Sequence, residues 1–329
     1  MTIHFGFEPD AARARSLDRR MHASLATSLE HLCDVSRGHT AFDDAAIGRL
    51  VESLQAGDCY SPFLFRDYYV LADALFADEG AAAARQFERL SHYRPTRHRL
   101  VVEVLADPDR DEKSAIYRTM MTGGSEADMS IFAPDPEVGR RFVERFHRGM
   151  ALMEEALPEL AGEVRAIVRE VVCAAGDPTK EMQIDGGSHF QLWGALLLNT
   201  DFHPTEQAIV EVVAHESAHS LLFGFCTDEP LVFNDDADLY PSPLRRDPRP
   251  MDGIYHATFV SARMHWAMSR LLESASLSEG GREEARAARE ADRKNFEAGY
   301  TVVSSYGDLS ETGQRLMEGA RAYMDGVAA

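Results

Sequence analysis

The sequence predicts a mainly helical α+β fold with a small β-sheet beside one buried helix. Three observations predict it. Apolar residues recur at helical intervals through most of the first 175 residues. Near residue 182 the texture changes to short apolar runs punctuated by glycine. The stretch VVAHESAHSLLFG, Val212 to Gly224, then places two histidines one turn apart on an otherwise apolar helix.

Taken in order, residues 10–35 read as a helix, with Leu17, Met21, Leu25 and Leu32 on one face. Helical patterns follow over 41–56 and over 61–91, the latter rich in alanine and aromatics. His92 to Leu100 is a basic turn broken by Pro95. It suits a solvated corner between helices, or contact with an acidic peptide. Asp107 to Lys113 and Thr122 to Gly139 are polar connectors flanking a short helix. From Pro136 the pattern is helical to about Ala175, with a break at Pro158. Gly186-Gly187 marks a turn, and FQLWGALLL supplies one or two buried strands. Thr205 to Phe223 forms the motif helix, with Pro204 and Thr205 suited to its start and Gly224 to its stop. Thr227 to Tyr255 reads as a loop, followed by more helix, including a surface helix over 281–299. These patterns divide the chain into a helical, possible peptide-binding region at 1–180 and a metal-site region at 181–329.

The chain has 329 residues, 45% hydrophobic and 27% charged, ordinary values for a globular protein with a sizeable core. With 54 acidic against 34 basic residues the net charge is −20, which opposes binding to nucleic acid or anionic membranes. Cys33, Cys59, Cys173 and Cys226 are scattered, with no CxxC pair, and are expected as free thiols. The N-terminal stretch lacks the pattern of a signal peptide, and no apolar run approaches the ~20 residues that span a bilayer. A cytoplasmic protein is expected.

His215 and His219 share a helix face and can chelate one ion, and Glu211 lies one turn earlier on the same stripe. Glu211 could steady a ligand imidazole or be a plain surface residue. The direct reading of His-Glu-x-x-His is zinc, with Glu216 as general base on a bound water. The longer metalloprotease pattern fails, because Leu222 and Phe225 stand where it needs glycine and histidine. A glutamate from a later helix, Glu273, is available as third ligand. The alternative is non-haem iron, whose sites keep three protein ligands on one face. None of the 13 histidines is followed two positions later by Asp or Glu, which excludes the cupin or jelly-roll version.

Tyr240 to Phe259 packs four prolines and three arginines, Arg245, Arg246 and Arg249, into one stretch ending near His256. Proline stiffens a loop, and arginine grips carboxylates in bidentate fashion. Those arginines could equally pair with Asp235, Asp236, Asp238 and Asp247. Together, HESAH (His215–His219), SPLRRDPRP (Ser242–Pro250) and GIYH (Gly253–His256) resemble the HExxH-type, 2-oxoglutarate-dependent peptide β-hydroxylases that tailor ribosomally made peptide natural products. The resemblance covers mainly residues 185–270.

The resemblance implies Fe(II) on His215, His219 and His256, with Arg245 or Arg249 on the far carboxylate of 2-oxoglutarate. It implies dioxygen as the oxidant and a precursor peptide, hydroxylated at a side-chain β-carbon, as the substrate. Glu216 then orients a ligand or a bound water. If the third ligand is a carboxylate, Glu273 or one of Asp235, Asp236 and Asp238 takes the place of His256. His265 reads as ordinary packing. Two other readings stand beside this one: a zinc metallopeptidase with Glu216 as base, and a non-catalytic helical peptide-binding protein with a structural metal.

Overall fold

The computed structural model describes residues 5–96, 99–122, 130–180, 183–242 and 247–327. Its helices are α1 (Ala11–Ser36), α2 (Asp44–Gln55), α3 (Phe63–Phe76), α4 (Gly80–Ser91), α5 (Glu112–Thr122), α6 (Pro136–Ala156), α7 (Pro158–Ile167), α8 (Glu206–Phe225), α9 (Met251–Glu273), α10 (Glu279–Tyr306) and α11 (Glu311–Gly326). Its strands are β1 (Val101–Val104), β2 (Ile131–Phe132), β3 (Glu170–Gly176), β4 (Gly186–Ser188), β5 (Ala195–Asn199), β6 (Leu239–Tyr240) and β7 (Arg249–Pro250). The fold is mainly α with a small mixed sheet, as the sequence predicts. No helix among the described residues is long and apolar enough to cross a membrane.

The sheet runs β1-β3-β5-β4, with β3 parallel to both β1 and β5, and β4 antiparallel to β5. All five residues of β5, and all of β3 except Ala175, are buried. Both faces of these strands are covered, so they read as continuous apolar runs rather than as alternation. This explains the first departure from expectation. The helical pattern expected to reach Ala175 ends at Ile167, and EVVCAAG enters the sheet. Pro158 sits at the first position of α7 and separates it from α6, where the break was expected. The expected helix over 61–91 is two, because Asp78 takes a left-handed backbone (φ 57) between α3 and α4. The expected division near residue 180 runs through the sheet, since β1 and β3 precede it while β4 and β5 follow it.

The chain folds over α8. That helix packs on α9, α6, α7 and β4. Its approach to α6 needs Gly149, where an added Cβ would lie 2.5 Å from Cγ2 of Ile209. Thr205 caps its start by accepting from the Ala208 amide at 3.2 Å. The expected stop at Gly224 is not a stop, for the helix continues to Phe225. Gly224 is required instead by packing: a Cβ there would stand 3.0 Å from the Trp193 ring. From Ile209 to Phe225 only Glu211, His215, His219 and Phe223 are not fully buried. Those four residues recur every fourth position and form a single stripe.

A buried charge cluster fixes α9 against the opposite end of the chain. Arg263, 1% exposed, pairs with Glu163, and Arg13 reaches the same carboxylate at 3.1 Å. The two guanidiniums also hold the chain before α1, donating to the carbonyls of Gly6, Glu8 and Phe7. Removing one member of such a cluster typically costs about 3–5 kcal/mol.

Asp292 of α10 is 1% exposed, and its Oδ2 has no hydrogen-bond partner among the described residues. Burial, and then the charge of Glu211, push its pKa up to about 9. The folded protein therefore keeps a proton that the unfolded chain loses near pH ~4, and stability falls as pH rises from there to about 9. Asp292→Asn removes this dependence. Its stability advantage over wild type, read by urea denaturation, should grow with pH through that window at up to ~1.4 kcal/mol per pH unit. A difference that stays flat with pH would contradict the buried, protonated carboxyl.

Candidate metal centre

The centre is built where the accessible stripe of α8 meets the start of α9. His219 stands between two other imidazoles. Its Nε2 is 3.2 Å from Nε2 of His215, and its Nδ1 is 3.1 Å from Nδ1 of His256. The ring centroids are 4.9 Å and 5.3 Å apart, and the His219 and His256 rings stack within 19°. His256 was expected at the end of a loop. It lies inside α9, which begins at Met251 straight after Pro250, a residue that cannot continue a strand ladder through its nitrogen. The structure thus brings together His215, His219 and His256.

All three imidazoles are pushed toward the neutral form. Burial lowers His215 to about 4, with the Asp185 charge opposing and His203 adding. It lowers His219 well below its ordinary value, helped by the two neighbouring rings. It lowers His256 too, against the charge of Asp252. His215 keeps 34% of its side chain exposed along the stripe. Neutral imidazole is the form that binds a metal.

Glu216 lies on the flank of the pair. Its Oε1 is 3.8 Å from Nε2 of His215. Burial, and then the charge of Asp185, raise its pKa to about 8, while a hydrogen bond with the Ser188 side chain opposes the rise. Its Oε2 is buried without a partner among the described residues. The carboxyl fits there because residue 186 is glycine; a Cβ on Gly186 would fall 2.6 Å from Oε1.

The facing Nε2 atoms of His215 and His219 are spaced as two donors on one ion of tetrahedral size, for which ligand distances of about 2 Å are usual. The buried, unpaired oxygen of Glu216 calls for a further polar partner at the same point. His256 turns its Nδ1 to His219 instead, and among the described residues no three His, Cys, Asp or Glu side chains gather around one ion-sized point. The donor chemistry fits a divalent transition metal, with two donors in place and the third imidazole adjacent.

The remaining expected residues divide clearly. Glu273 is exposed beside Arg270 at the far end of α9, about 25 Å from His256 by helix rise, so it is not a third ligand. Asp235, Asp236 and Asp238 are exposed on a turn. His265 packs inside with Nδ1 at 2.9 Å from the Tyr323 hydroxyl. Glu211 is half-buried and raised to about 7 by burial and then by Asp185 and Glu284; no hydrogen bond joins it to His215 among the described residues. Arg245 and Arg246 lie outside the described residues. Arg249 is half-buried in β7, with its Cδ 4.0 Å from where a Cβ on Gly253 would sit. Among the described residues it makes no ion pair with Asp235, Asp236, Asp238 or Asp247.

Three features were not anticipated. Met264 places its Sδ 3.0 Å from Nδ1 of His215. Phe223, the last residue of the α8 stripe, covers His256 at 5.7 Å between ring centroids. A cavity of about 230 Å³ opens beside His215, lined by Asp185, Phe202, His203, Ala208, Glu211, Val212 and Met264. His203 in its wall takes a left-handed backbone (φ 56) while Asp185 holds its ring, a strain tolerated where surroundings fix it. Helical spacing could have found Phe223 and Met264; the cavity could not have been read from spacing.

No protein-family model matches this sequence. No curated protein matches it at a significant level.

The close fit of Glu216 against β4 gives a direct test. Gly186→Ala should cost about 1–3 kcal/mol by urea denaturation, through overpacking. Adding Glu216→Ala should recover most of that loss, since the two side chains would compete for one space. Simple additivity of the two costs would show that Glu216 lies elsewhere.

Proposed function

We propose that the protein is a non-haem iron, 2-oxoglutarate-dependent dioxygenase that hydroxylates a side-chain β-carbon in a ribosomally made precursor peptide. The observation that carries this reading is the all-imidazole cluster on α8 and α9. His215, His219 and His256 would hold the ion, and Arg249 lies in the strand that leads into α9, with no carboxylate partner among the described residues. Glu273, the later-helix glutamate that a zinc peptidase would need as third ligand, is remote from the cluster.

When bound, Fe(II) with 2-oxoglutarate supplies an oxidant from dioxygen that can attack an unactivated C–H bond. The residues of the chain do the rest. Arg249 offers a fork of donors to the far carboxylate of the cosubstrate, and Arg245 is the second candidate for this role. The cavity beside His215 has no lysine or arginine in its lining, and Asp185 and Glu211 repel carboxylates. The anionic cosubstrate therefore belongs on the Arg249 side, and the peptide side chain enters by the cavity. Phe223 covers the His256 ring and limits access of water. Glu216, held by Ser188, orients a water or a ligand beside His215. The four thiols are all free, which suits the cytoplasm.

A second reading is favoured by one observation. The unpaired Oε2 of Glu216 near the histidine pair is also what a zinc peptidase needs for its base. Glu216→Gln should nearly abolish peptide cleavage but only weaken hydroxylation.

The dioxygenase reading predicts stoichiometric succinate and a peptide heavier by one oxygen atom when the anaerobically iron-loaded protein meets 2-oxoglutarate, air and its precursor. Arg249→Ala should raise the KM for 2-oxoglutarate about 10- to 100-fold, the equivalent of one charge-assisted pair of ~1.5–3 kcal/mol. Zinc-dependent cleavage indifferent to 2-oxoglutarate and to Arg249→Ala would overturn it.

A further inference from the structure

We propose that Met264 is a positioning residue that fixes the tautomer of His215 and so keeps the Nε2 lone pair free for the ion. The consequence for metal binding rests on the metal-site reading above; the tautomer itself does not. A neutral imidazole carries one proton, on either of its nitrogens. In His215 the two nitrogens face different partners, with Nε2 at 3.2 Å from Nε2 of His219 and Nδ1 at 3.0 Å from Sδ of Met264. A thioether is a weak acceptor and never a donor. Sulfur lone pairs set against a bare Nδ1 repel it; set against Nδ1–H they attract. The contact therefore selects the Nδ1–H form, and the remaining lone pair, on Nε2, is directed at His219.

Metal-bound histidines usually give their second N–H to a carboxylate, a carbonyl or water. Glu211, one turn back on the same stripe, is the carboxylate that could have taken this part, but no hydrogen bond joins it to His215 among the described residues. A thioether in that place steadies the ring without adding a negative charge beside it. His219 is backed in a parallel way. Its Nδ1 faces Nδ1 of His256, whose Nε2 lies 3.8 Å from Asp252. In the metal-free chain His219 donates from Nε2 to the bare Nε2 of His215 and accepts at Nδ1 from His256, which holds His215 in the same form. His256 and Met264 lie about two turns apart on α9, so one helix backs both imidazoles of the α8 pair.

The test uses the full chain, stripped by a chelator, and long-range ¹H–¹⁵N spectra of its imidazoles. Wild type should show His215 protonated on Nδ1 and bare on Nε2. Met264→Leu, which keeps the bulk and removes the acceptor, should move His215 toward a mixture of tautomers. It should also weaken Co(II) binding about tenfold, the lower end of the range for residues that back a ligand. Met264→Gln, with an amide oxygen as acceptor, should restore the tautomer and most of the affinity while being less stable to urea than the leucine variant. A mere packing role predicts the opposite order, with leucine better than glutamine in every readout. A leucine variant that keeps the wild-type tautomer and Co(II) affinity overturns the proposal. Wild type that binds no Co(II), while its tautomer still follows residue 264, would sink the metal reading and leave the tautomer inference standing.

Discussion

Everything at this site follows from the enclosure of α8. From Ile209 onward the helix is buried on every side except one stripe four residues in period, and that stripe reads Glu211, His215, His219, Phe223. Burying polar groups that lack full partners costs about 1–3 kcal/mol each. A helix selected only for stability would carry leucine at such positions. Here the ionisable residues from Ile209 onward are confined to the accessible stripe and to Glu216 beside it, while Ser217 and Ser220 are the other buried polar side chains of the helix. That expense is the physical reason to regard the stripe as functional.

The second element is α9, which crosses α8 and supplies what the stripe lacks. Its first turns bring His256 to His219, and its middle brings Met264 to His215. The arginines and carboxylate around Glu163 hold the same helix in place at Arg263, one residue before Met264. Positioning is therefore done by packed helices rather than by loops, which gives the three rings a fixed mutual distance. The β6–β7 ladder leads Arg249 into the first turn of α9.

Much of this was legible in the sequence, and what was not has physical causes. The helices from α1 to α7 follow apolar periodicity, and the start of α8 follows its threonine cap. The strand β3 was hidden because a strand buried on both faces carries no alternation and continues the apolar run of the preceding helix. His215 and His219 announce themselves by spacing. That His256 joins them was implied only by the resemblance to peptide β-hydroxylases, since distance along the chain says nothing about a neighbour on another helix. Gly224 misled, because a glycine near the end of a helix looks like a stop, whereas here the approach of Trp193 requires it. Met264 went unnoticed because a methionine on an apolar face is ordinarily core.

The proposed centre would hold one ion between the facing Nε2 atoms of His215 and His219. Crystals of the full chain, soaked anaerobically with Fe(II) and measured at the iron absorption edge, would show this most directly. The account predicts a single anomalous peak about 2 Å from both nitrogens, with the His256 ring turned to meet it. A peak held elsewhere, such as by the acidic turn at Asp235, or no peak near the pair under saturating Fe(II), would contradict it.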